Sequence, residues 1–320
     1  MRCLITGASG FIGSALSIEL LKKGHDVKCI VRNVKSKKLN KNPNLIYIEL
    51  GNIDIHTDWK NILKNVDCII HCAARAHLTI NDDDNYDSFK SLNVDGTKKL
   101  AIDVLNSEVK RFIYISSIGV NGPYTKKNQA FSNLSNPNPK GSYAISKYES
   151  EIILKELFIQ SKKELVIIRP PTVYGPNLKG NFSQLISFLD NNFPLPFESI
   201  QNKKSYVSIE NLVDLISVCV DHKNAGSEIF LVSDDQDIST ANLIKKISSN
   251  LDIKRIIFPT PIFLLSIFFK IIGKKEYINK FMGSLEIDIE HTKNTLNWKP
   301  KYNLENCLKN TIDWYLQNKR

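Results

Sequence analysis

The chain has 320 residues, of which 42% are hydrophobic, and this length provides enough core for one large α/β domain and a smaller lobe. The net charge of +10 comes from scattered Lys residues without an aromatic-bearing basic stripe, so the composition argues against a nucleic-acid partner. The six cysteines show neither paired metal spacing nor a secretory leader before them, so we expect reduced thiols, no metal site and a cytoplasmic protein.

The first predicted strand leads into a glycine-rich turn. Cys3–Thr6 is apolar, and Gly7-Ala8-Ser9-Gly10-Phe11-Ile12-Gly13 follows it and runs directly into a helical pattern. Glycines at these spacings permit a tight turn and let the backbone approach a pyrophosphate at the helix N-terminus. The sequence therefore predicts a dinucleotide site, with these contacts: Gly7, Ser9, Gly10, Phe11, Ile12 and Gly13.

The second predicted strand, Val27–Val31, ends at Arg32 instead of at an acidic residue. A carboxylate at this position would bind the adenosine ribose hydroxyls of NAD, whereas an Arg accepts the 2′-phosphate of NADP. Lys35 and Lys37 follow closely, so NADP(H) is slightly favoured over NAD(H). The alternative is that Arg32 lies over the adenine ring.

Four further apolar runs alternate with helical segments. They are Leu45–Ile48, Cys68–His71, Phe112–Ile115 and Leu165–Ile168. Such alternation predicts an α/β fold in which helices cover both faces of a parallel sheet, a Rossmann-type doubly wound architecture. Ligands in these folds bind beyond the carboxyl ends of the strands.

Candidate catalytic residues follow the fifth predicted strand. Ser117 ends that strand, while Tyr143 and Lys147 stand four apart at the start of a helical segment and therefore share one helix face. An ammonium close to a phenol favours the phenolate, so Lys147 is expected to lower the pKa of Tyr143 and make it a proton shuttle.

Together these motifs resemble the extended short-chain dehydrogenase/reductase superfamily, in its NAD-dependent epimerase/dehydratase branch acting on nucleotide sugars. The resemblance covers almost the whole chain. It includes the segments 71–74, 93–97, 169–176, 204–214 and 296–300, whose sequences are HCAA, NVDGT, RPPTVYGP, KSYVSIENLVD and LNWKP.

The resemblance implies roles for individual residues. Ser117 would bind the sugar oxygen, Tyr143 would transfer its proton, and Lys147 would bind the nicotinamide ribose. Further cofactor contacts would come from Asn52, Ile53, Ala73, Ala74, Asn93 and Pro170. Substrate contacts besides Ser117 would come from Asn121, Thr172, Asn181 and Lys204.

The residues after Ser117 narrow the chemistry. Family dehydratases usually have acidic residues there, whereas this chain has Ile118 and Gly119, which cannot transfer protons. We therefore expect no 4,6-dehydration. The segments 120–122, 169–171, 179–182 and 283–285 resemble a bacterial subgroup that acts at C4 of UDP-linked N-acetylhexosamines, and this resemblance implies hydride transfer at C4. Reduction of a 4-keto-6-deoxy sugar for surface polysaccharide synthesis is preferred, because a reductase consumes free reduced cofactor and Arg32 suits NADP(H). The alternative is a UDP-hexose or UDP-N-acetylhexosamine 4-epimerase with tightly bound NAD. A non-catalytic NAD(P)-binding regulator is the minor alternative.

The expected organisation is a cofactor domain over residues 1–170, to which 205–232 returns, and a substrate lobe mainly over 171–320. The apolar run 262–272 is too short to cross a bilayer and predicts a packed helix, with peripheral contact to a membrane or partner as the alternative. The resemblance also implies a homodimer through the helices Ser88–Leu105 and Tyr143–Gln160.

Overall fold

The computed structural model describes residues 1–34, 42–76, 86–126, 128–178, 180–191, 193–254, 256–271, 273 and 276–319. A seven-stranded sheet forms its centre. The strands of this sheet are β1 (Arg2–Thr6), β2 (Asp26–Val31), β3 (Leu45–Glu49), β4 (Cys68–His71), β5 (Arg111–Ile115), β6 (Glu164–Arg169) and β9 (Glu228–Leu231); the short strands β7 (Val173–Tyr174) and β8 (Val207–Ser208) pair separately.

Every strand pair in the large sheet is parallel, in the order β3-β2-β1-β4-β5-β6-β9. The order reverses direction between β1 and β4, which creates the crevice where doubly wound folds bind ligands. The predicted Rossmann-type fold is confirmed, and all six predicted strands of the first half form within one or two residues of their expected ends.

Helices connect the strands. They are α1 (Phe11–Lys22), α2 (Tyr86–Phe89), α3 (Thr97–Leu105), α4 (Ser142–Phe158), α5 (Asn181–Asp190), α6 (Ile209–Asp221), α7 (Thr240–Asn250), α8 (Ile262–Ile271), α9 (Glu276–Met282), α10 (Glu290–Leu296) and α11 (Leu304–Asn318). A π-helical segment, Lys90–Gly96, joins α2 to α3, so the predicted helix Ser88–Leu105 is not uniformly α-helical. The helix predicted over Tyr143–Gln160 ends two residues earlier, at Phe158.

The alternation of side chains along each strand builds two cores. On β5, Ile113 and Ile115 face the core that α1 and α6 cover. Phe112 and Tyr114 face the opposite core, which α3 and α4 cover. Successive strand residues point to opposite faces, so strands covered on both sides are apolar throughout.

The smaller lobe has its own core, formed by α5, α7, α8 and α11. Glu228–Leu231 does not belong to that lobe, since it pairs with β6 at the edge of the large sheet. The chain therefore enters the smaller lobe after residue 170 and returns to the large sheet for α6 and β9. It enters the lobe again before residue 240. None of the described helices combines the length and the apolar character needed to cross a membrane.

Candidate active site

A cavity of 2380 Å³ lies between the large sheet and the smaller lobe. The segments that follow β1 to β6 line one side of it, and residues of α5, α7 and α8 line the other. The cavity therefore lies beyond the carboxyl ends of the parallel strands, where this architecture binds ligands.

The glycine loop after β1 is tightly packed against the start of the loop after β4. Gly7 has φ +67°, and a Cβ atom there would lie 2.8 Å from the backbone N and Cα of Ala73. A Cβ at Gly13 would collide with the carbonyl oxygen of Gly7. These positions require glycine, and the loop with the first turn of α1 forms a cradle for a pyrophosphate. All six loop residues predicted as cofactor contacts line the cavity.

A buried hydrogen-bond chain holds the loop after β4. The Thr6 hydroxyl accepts a 3.2 Å hydrogen bond from the Ala73 amide and lies 2.7 Å from Nδ1 of His71. Nε2 of His71 lies 2.9 Å from the Thr97 hydroxyl. Burial, with a smaller contribution from the charge of Lys147, lowers the pKa of His71 to about 3. The imidazole is thus neutral and fixes Ala73 and Ala74 at the cavity wall.

Asn93 does not reach the cavity. Its side chain is buried, and Oδ1 accepts a 2.8 Å hydrogen bond from the backbone amide of Arg75. Nδ2 donates to the Arg75 carbonyl and to the Ser146 hydroxyl. The predicted cofactor contact of Asn93 stays a prediction, and in this structure every polar atom of its amide has a protein partner. Asn93 instead positions Arg75, a cavity-lining residue that the sequence analysis missed.

Ser117 caps the short 3₁₀ helix Ile118–Val120. Its hydroxyl accepts a 3.1 Å hydrogen bond from the Gly119 amide, and its donor proton can therefore be directed to a ligand. The carbonyl of Pro170 accepts from the Ile118 amide at 2.9 Å, which ties the segment to the end of β6. Both Ser117 and Pro170 line the cavity.

Tyr143 lies in the first turn of α4 and lines the cavity. Its ring packs against Phe89, with 6.2 Å between the ring centroids. Burial raises the pKa of Tyr143 to about 12. The phenol therefore holds its proton at neutral pH.

Lys147 lies one turn further along α4 and is almost fully buried, with 2% of its surface exposed. Its ammonium donates a 2.7 Å hydrogen bond to the Ile115 carbonyl and lies 4.6 Å from the centroid of the Tyr114 ring. Burial lowers the pKa of Lys147 to about 8. The expectation that Lys147 lowers the pKa of Tyr143 is wrong for this structure, because desolvation dominates the phenol and the ammonium is directed at the carbonyl.

A buried ion pair that the sequence analysis missed supports the segment around Ser117. Arg169 and Glu151 are 2% and 0% exposed at their side chains, with 2.5 Å between Nη2 and Oε2. Oε1 of Glu151 also accepts from the Ser116 hydroxyl at 2.6 Å. Glu151 lies eight residues after Tyr143 and four after Lys147, so helical spacing was a usable signal for it.

Asn121 belongs to the same buried network. Its Oδ1 accepts a 3.0 Å hydrogen bond from Nη1 of Arg169, and its Nδ2 donates to the Ser132 carbonyl at 3.3 Å. The side chain is buried and does not line the cavity. The predicted contact of Asn121 with substrate stays a prediction, and in this structure its amide holds Arg169.

The segments after β2 and β3 form the end of the cavity next to the glycine loop. Arg32 is exposed and lines the cavity, as do Asn52 and Ile53. Asp54, which the sequence analysis did not single out, lines it too. Lys35 and Lys37 lie outside the described residues.

The lobe side contributes Thr172 and Lys204 to the cavity lining. The Lys204 amide donates to the Ile238 carbonyl at 3.1 Å, so an isolated backbone pairing fixes its position. Asn181 begins α5, but its side chain is outside what the structure describes. Tyr206 also lines the cavity, and burial raises the pKa of its phenol.

Acidic groups are scarce around the cavity. Among the described lining residues Asp54 is the only carboxylate, and it follows β3, whereas Ser117 follows β5. Ile118 and Gly119 line the cavity beside Ser117. Tyr143 and Lys147 are the titratable side chains that α4 contributes to the same cavity lining.

A doubly wound parallel sheet with a glycine cradle and a Ser, Tyr and Lys set on one cavity defines an extended short-chain dehydrogenase/reductase enzyme. The sequence profile of the NAD dependent epimerase/dehydratase family matches residues 3–233. A UDP-glucose 4-epimerase of Vibrio cholerae is 43% identical over 319 residues, which cover 98% of this chain and 95% of that protein. The chain belongs to the NAD dependent epimerase/dehydratase family.

Solved structures share the whole fold. The UDP-glucose 4-epimerase of Thermotoga maritima, solved with UDP-glucose, superposes with a TM-score of 0.80 at 20% identity over 100% of both chains. The UDP-glucuronic acid 4-epimerase of Bacillus cereus, solved with NAD, superposes with a TM-score of 0.79 at 22% identity, also over 100% of both chains. At these identities the structural similarity shows the fold alone, so the activity has to be inferred from the site residues.

Proposed function

We propose that this enzyme is a 4-epimerase of UDP-hexoses or UDP-N-acetylhexosamines with NAD as its cofactor. The observation that carries the proposal is the 43% identity, over 98% of the chain, to a UDP-glucose 4-epimerase. The alternative that the sequence analysis placed second is thus better supported than the reductase that it preferred.

The glycine cradle supports a dinucleotide cofactor, because a Cβ atom at Gly7 or Gly13 would collide with backbone and disrupt the tight turn that leads into α1. The nicotinamide would accept and return the hydride when bound. Lys147, placed by its hydrogen bond to the Ile115 carbonyl, would hold the nicotinamide ribose. Ala73 and Ala74 would leave room for the ring on the side of β4.

The chain's own residues would carry the proton. Tyr143 would exchange a proton with the C4 oxygen of the sugar, while the Ser117 hydroxyl would donate a hydrogen bond to the same oxygen. Since burial raises the pKa of Tyr143 to about 12, oxidation of a C4 hydroxyl requires that the phenolate be stabilised within the ternary complex. Movement of the Lys147 ammonium toward the phenol would supply that stabilisation.

The cavity lining argues against 4,6-dehydration. Removing water across C5 and C6 requires an additional acid and base near the reacting carbons. Ile118 and Gly119 occupy the positions beside Ser117, and neither can transfer a proton. At the lobe end, Lys204 would meet the diphosphate as a point charge, and Thr172 and Asn181 would lie near the sugar and uridine.

Two observations favour a second candidate, an NADP(H)-dependent reductase of a UDP-4-keto-6-deoxy-N-acetylhexosamine. Arg32 lines the cavity after β2, where a cation suits a 2′-phosphate. Tyr143 also holds its proton at neutral pH, and a protonated phenol is the form that donates to a C4 keto oxygen during reduction.

One set of assays separates the two candidates. Purified protein is incubated with UDP-glucose or UDP-N-acetylglucosamine without added cofactor, and the C4 epimers are resolved by chromatography. In parallel, UDP-4-keto-6-deoxy-N-acetylglucosamine is mixed with NADPH or NADH, and the reduced-nicotinamide absorbance is followed. We expect epimerisation without net consumption of nicotinamide. Stoichiometric consumption without epimerisation would replace the epimerase with the reductase.

A matched pair of variants tests the assignment of Tyr143. Tyr143→Phe should lower turnover about 10²- to 10⁴-fold, because the phenol transfers the proton. Tyr148→Phe removes a hydroxyl from the same helix and should retain normal turnover. Equal activity of both variants would show that another group transfers the proton.

A further inference from the structure

The surface of the smaller lobe carries a large exposed apolar area centred on α8. On this helix Ile262, Phe263, Leu264, Ile267 and Ile271 have between 46% and 78% of their surface exposed. Leu264, Ile267 and Ile271 follow a spacing of three and four residues, so they share one helix face. Isolated exposed apolar residues are common in proteins, but a continuous face of this size marks an interaction surface.

The opposite face of α8 belongs to the cavity. Leu265 and Phe269 stand four residues apart, are 3% and 7% exposed, and line the cavity wall. The helix therefore has two apolar faces, one covered by the protein and one open. Packing of the protein core explains why the covered face is apolar, but it does not explain why the open face is.

Further exposed apolar side chains lie on the segments around Leu195 and before α8. Leu195 exchanges two backbone hydrogen bonds of 3.0 Å, with Ile256 and with Phe258, and this pairing brings two chain segments side by side. Phe193, Ile256 and Phe258 are 60%, 68% and 43% exposed. Together with the open face of α8, these side chains form what we call the α8 surface.

The sequence around the α8 surface is net positive, with Asp252 and Glu276 directly outside its basic stretch. Between residues 253 and 275 the sequence contains no Asp or Glu and five cations: Lys254, Arg255, Lys270, Lys274 and Lys275. Of these, Lys254 and Lys270 are described and exposed. Glu198, whose amide lies near the Phe258 carbonyl, is paired with Lys245 at 3.1 Å. Aromatic and aliphatic side chains next to the exposed Lys254 and Lys270 match the chemistry of an anionic lipid surface.

We propose that the α8 surface docks on an anionic membrane. The apolar side chains would enter the boundary between headgroups and acyl chains, and the flanking cations would contact anionic headgroups. An anionic bilayer attracts a net positive border, which a protein partner would not require. Docking would place the α8 wall of the cavity next to the lipid headgroups.

Vesicle co-sedimentation of the full chain tests this proposal without any turnover measurement, so its outcome is independent of the proposed epimerase activity. One vesicle type is phosphatidylcholine alone, and the other contains equal parts of phosphatidylcholine and phosphatidylglycerol. We expect binding to the anionic vesicles, weaker binding to the neutral ones, and a decrease as salt rises.

The double variant Phe263→Asp with Ile271→Asp should weaken binding about tenfold or more, because each change removes a large apolar side chain from the lipid contact. Leu134→Asp is the matched control, since Leu134 is 85% exposed and lies outside the α8 surface. It should bind like the parent chain. These side chains are exposed, and circular dichroism verifies that the variants fold.

Three results would overturn the proposal. The first is no binding to either vesicle type by folded protein. The second is light scattering that shows an oligomer which the Phe263→Asp, Ile271→Asp variant dissociates, because the α8 surface would then be a contact between copies of the chain. Equal binding of parent and double variant would also refute the role of α8.

Discussion

Removing the negative charge of the buried ion pair behind Ser117 should destabilise the protein strongly. Glu151→Gln leaves Arg169 charged, 2% exposed and without a carboxylate partner. Loss of one member of a buried pair costs about 3–5 kcal/mol. The expected loss is a large fraction of the stability of an ordinary domain, which is about 5–15 kcal/mol.

The expected shift in melting temperature follows from the chain length. An unfolding entropy of about 2.1 cal/mol/K per residue gives ~0.7 kcal/mol/K for 320 residues. Dividing the free-energy loss by this entropy predicts a decrease of about 4–7 °C in Tm. Differential scanning calorimetry of the parent chain and the variant measures it.

A surface pair provides the control. Glu198 and Lys245 are 3.1 Å apart, with 39% and 49% of their side chains exposed. Solvent screens such a pair, so Glu198→Gln should cost less than about 1 kcal/mol. The double variant Glu151→Gln, Arg169→Met replaces both buried charges. It should recover part of the lost free energy of unfolding, because no unpaired charge remains. A Glu151→Gln melting temperature equal to that of Glu198→Gln would refute the reasoning.

Three further changes have defined outcomes. Arg32→Asp should weaken binding of NADPH more than of NADH in fluorescence titrations, because it removes the cation available to a 2′-phosphate. An equal decrease in affinity for both cofactors would refute a contact between Arg32 and the 2′-phosphate. The pKa of His71 falls from 6.5 to about 3 on folding, so the unfolded state binds the proton first and stability decreases as pH falls from 6.5 toward 3. In denaturant titrations of the parent chain, the free energy of unfolding should decrease by up to about 1.4 kcal/mol per pH unit in this range. The dependence of that free energy on pH should be shallower in His71→Gln. Ile145 and Ile152 on α4, and Ile159 just after its end, are exposed at intervals of seven residues, so Ile152→Asp should reduce the mass of the predicted homodimer to that of a monomer in light scattering. An unchanged mass would exclude this face as the contact.

The local sequence was sufficient to predict the cofactor cradle. The strand Cys3–Thr6, the glycines after it and the helix after them are neighbours along the chain, so spacing alone defines their geometry. The same holds for Tyr143 and Lys147, because four residues of helix bring them to one face. These predictions needed no knowledge of distant contacts.

The tertiary structure alone decided which polar side chains reach the cavity. Asn93 and Asn121 occur in motifs typical of the family, but distant residues occupy their amides: Arg75 for the first, Arg169 for the second. The direction of the pKa shift of Tyr143 also depends on burial by segments such as the one carrying Phe89, more than fifty positions away. Sequence spacing determines which residues share a helix face or a turn, whereas desolvation and hydrogen-bond partners depend on how remote segments pack.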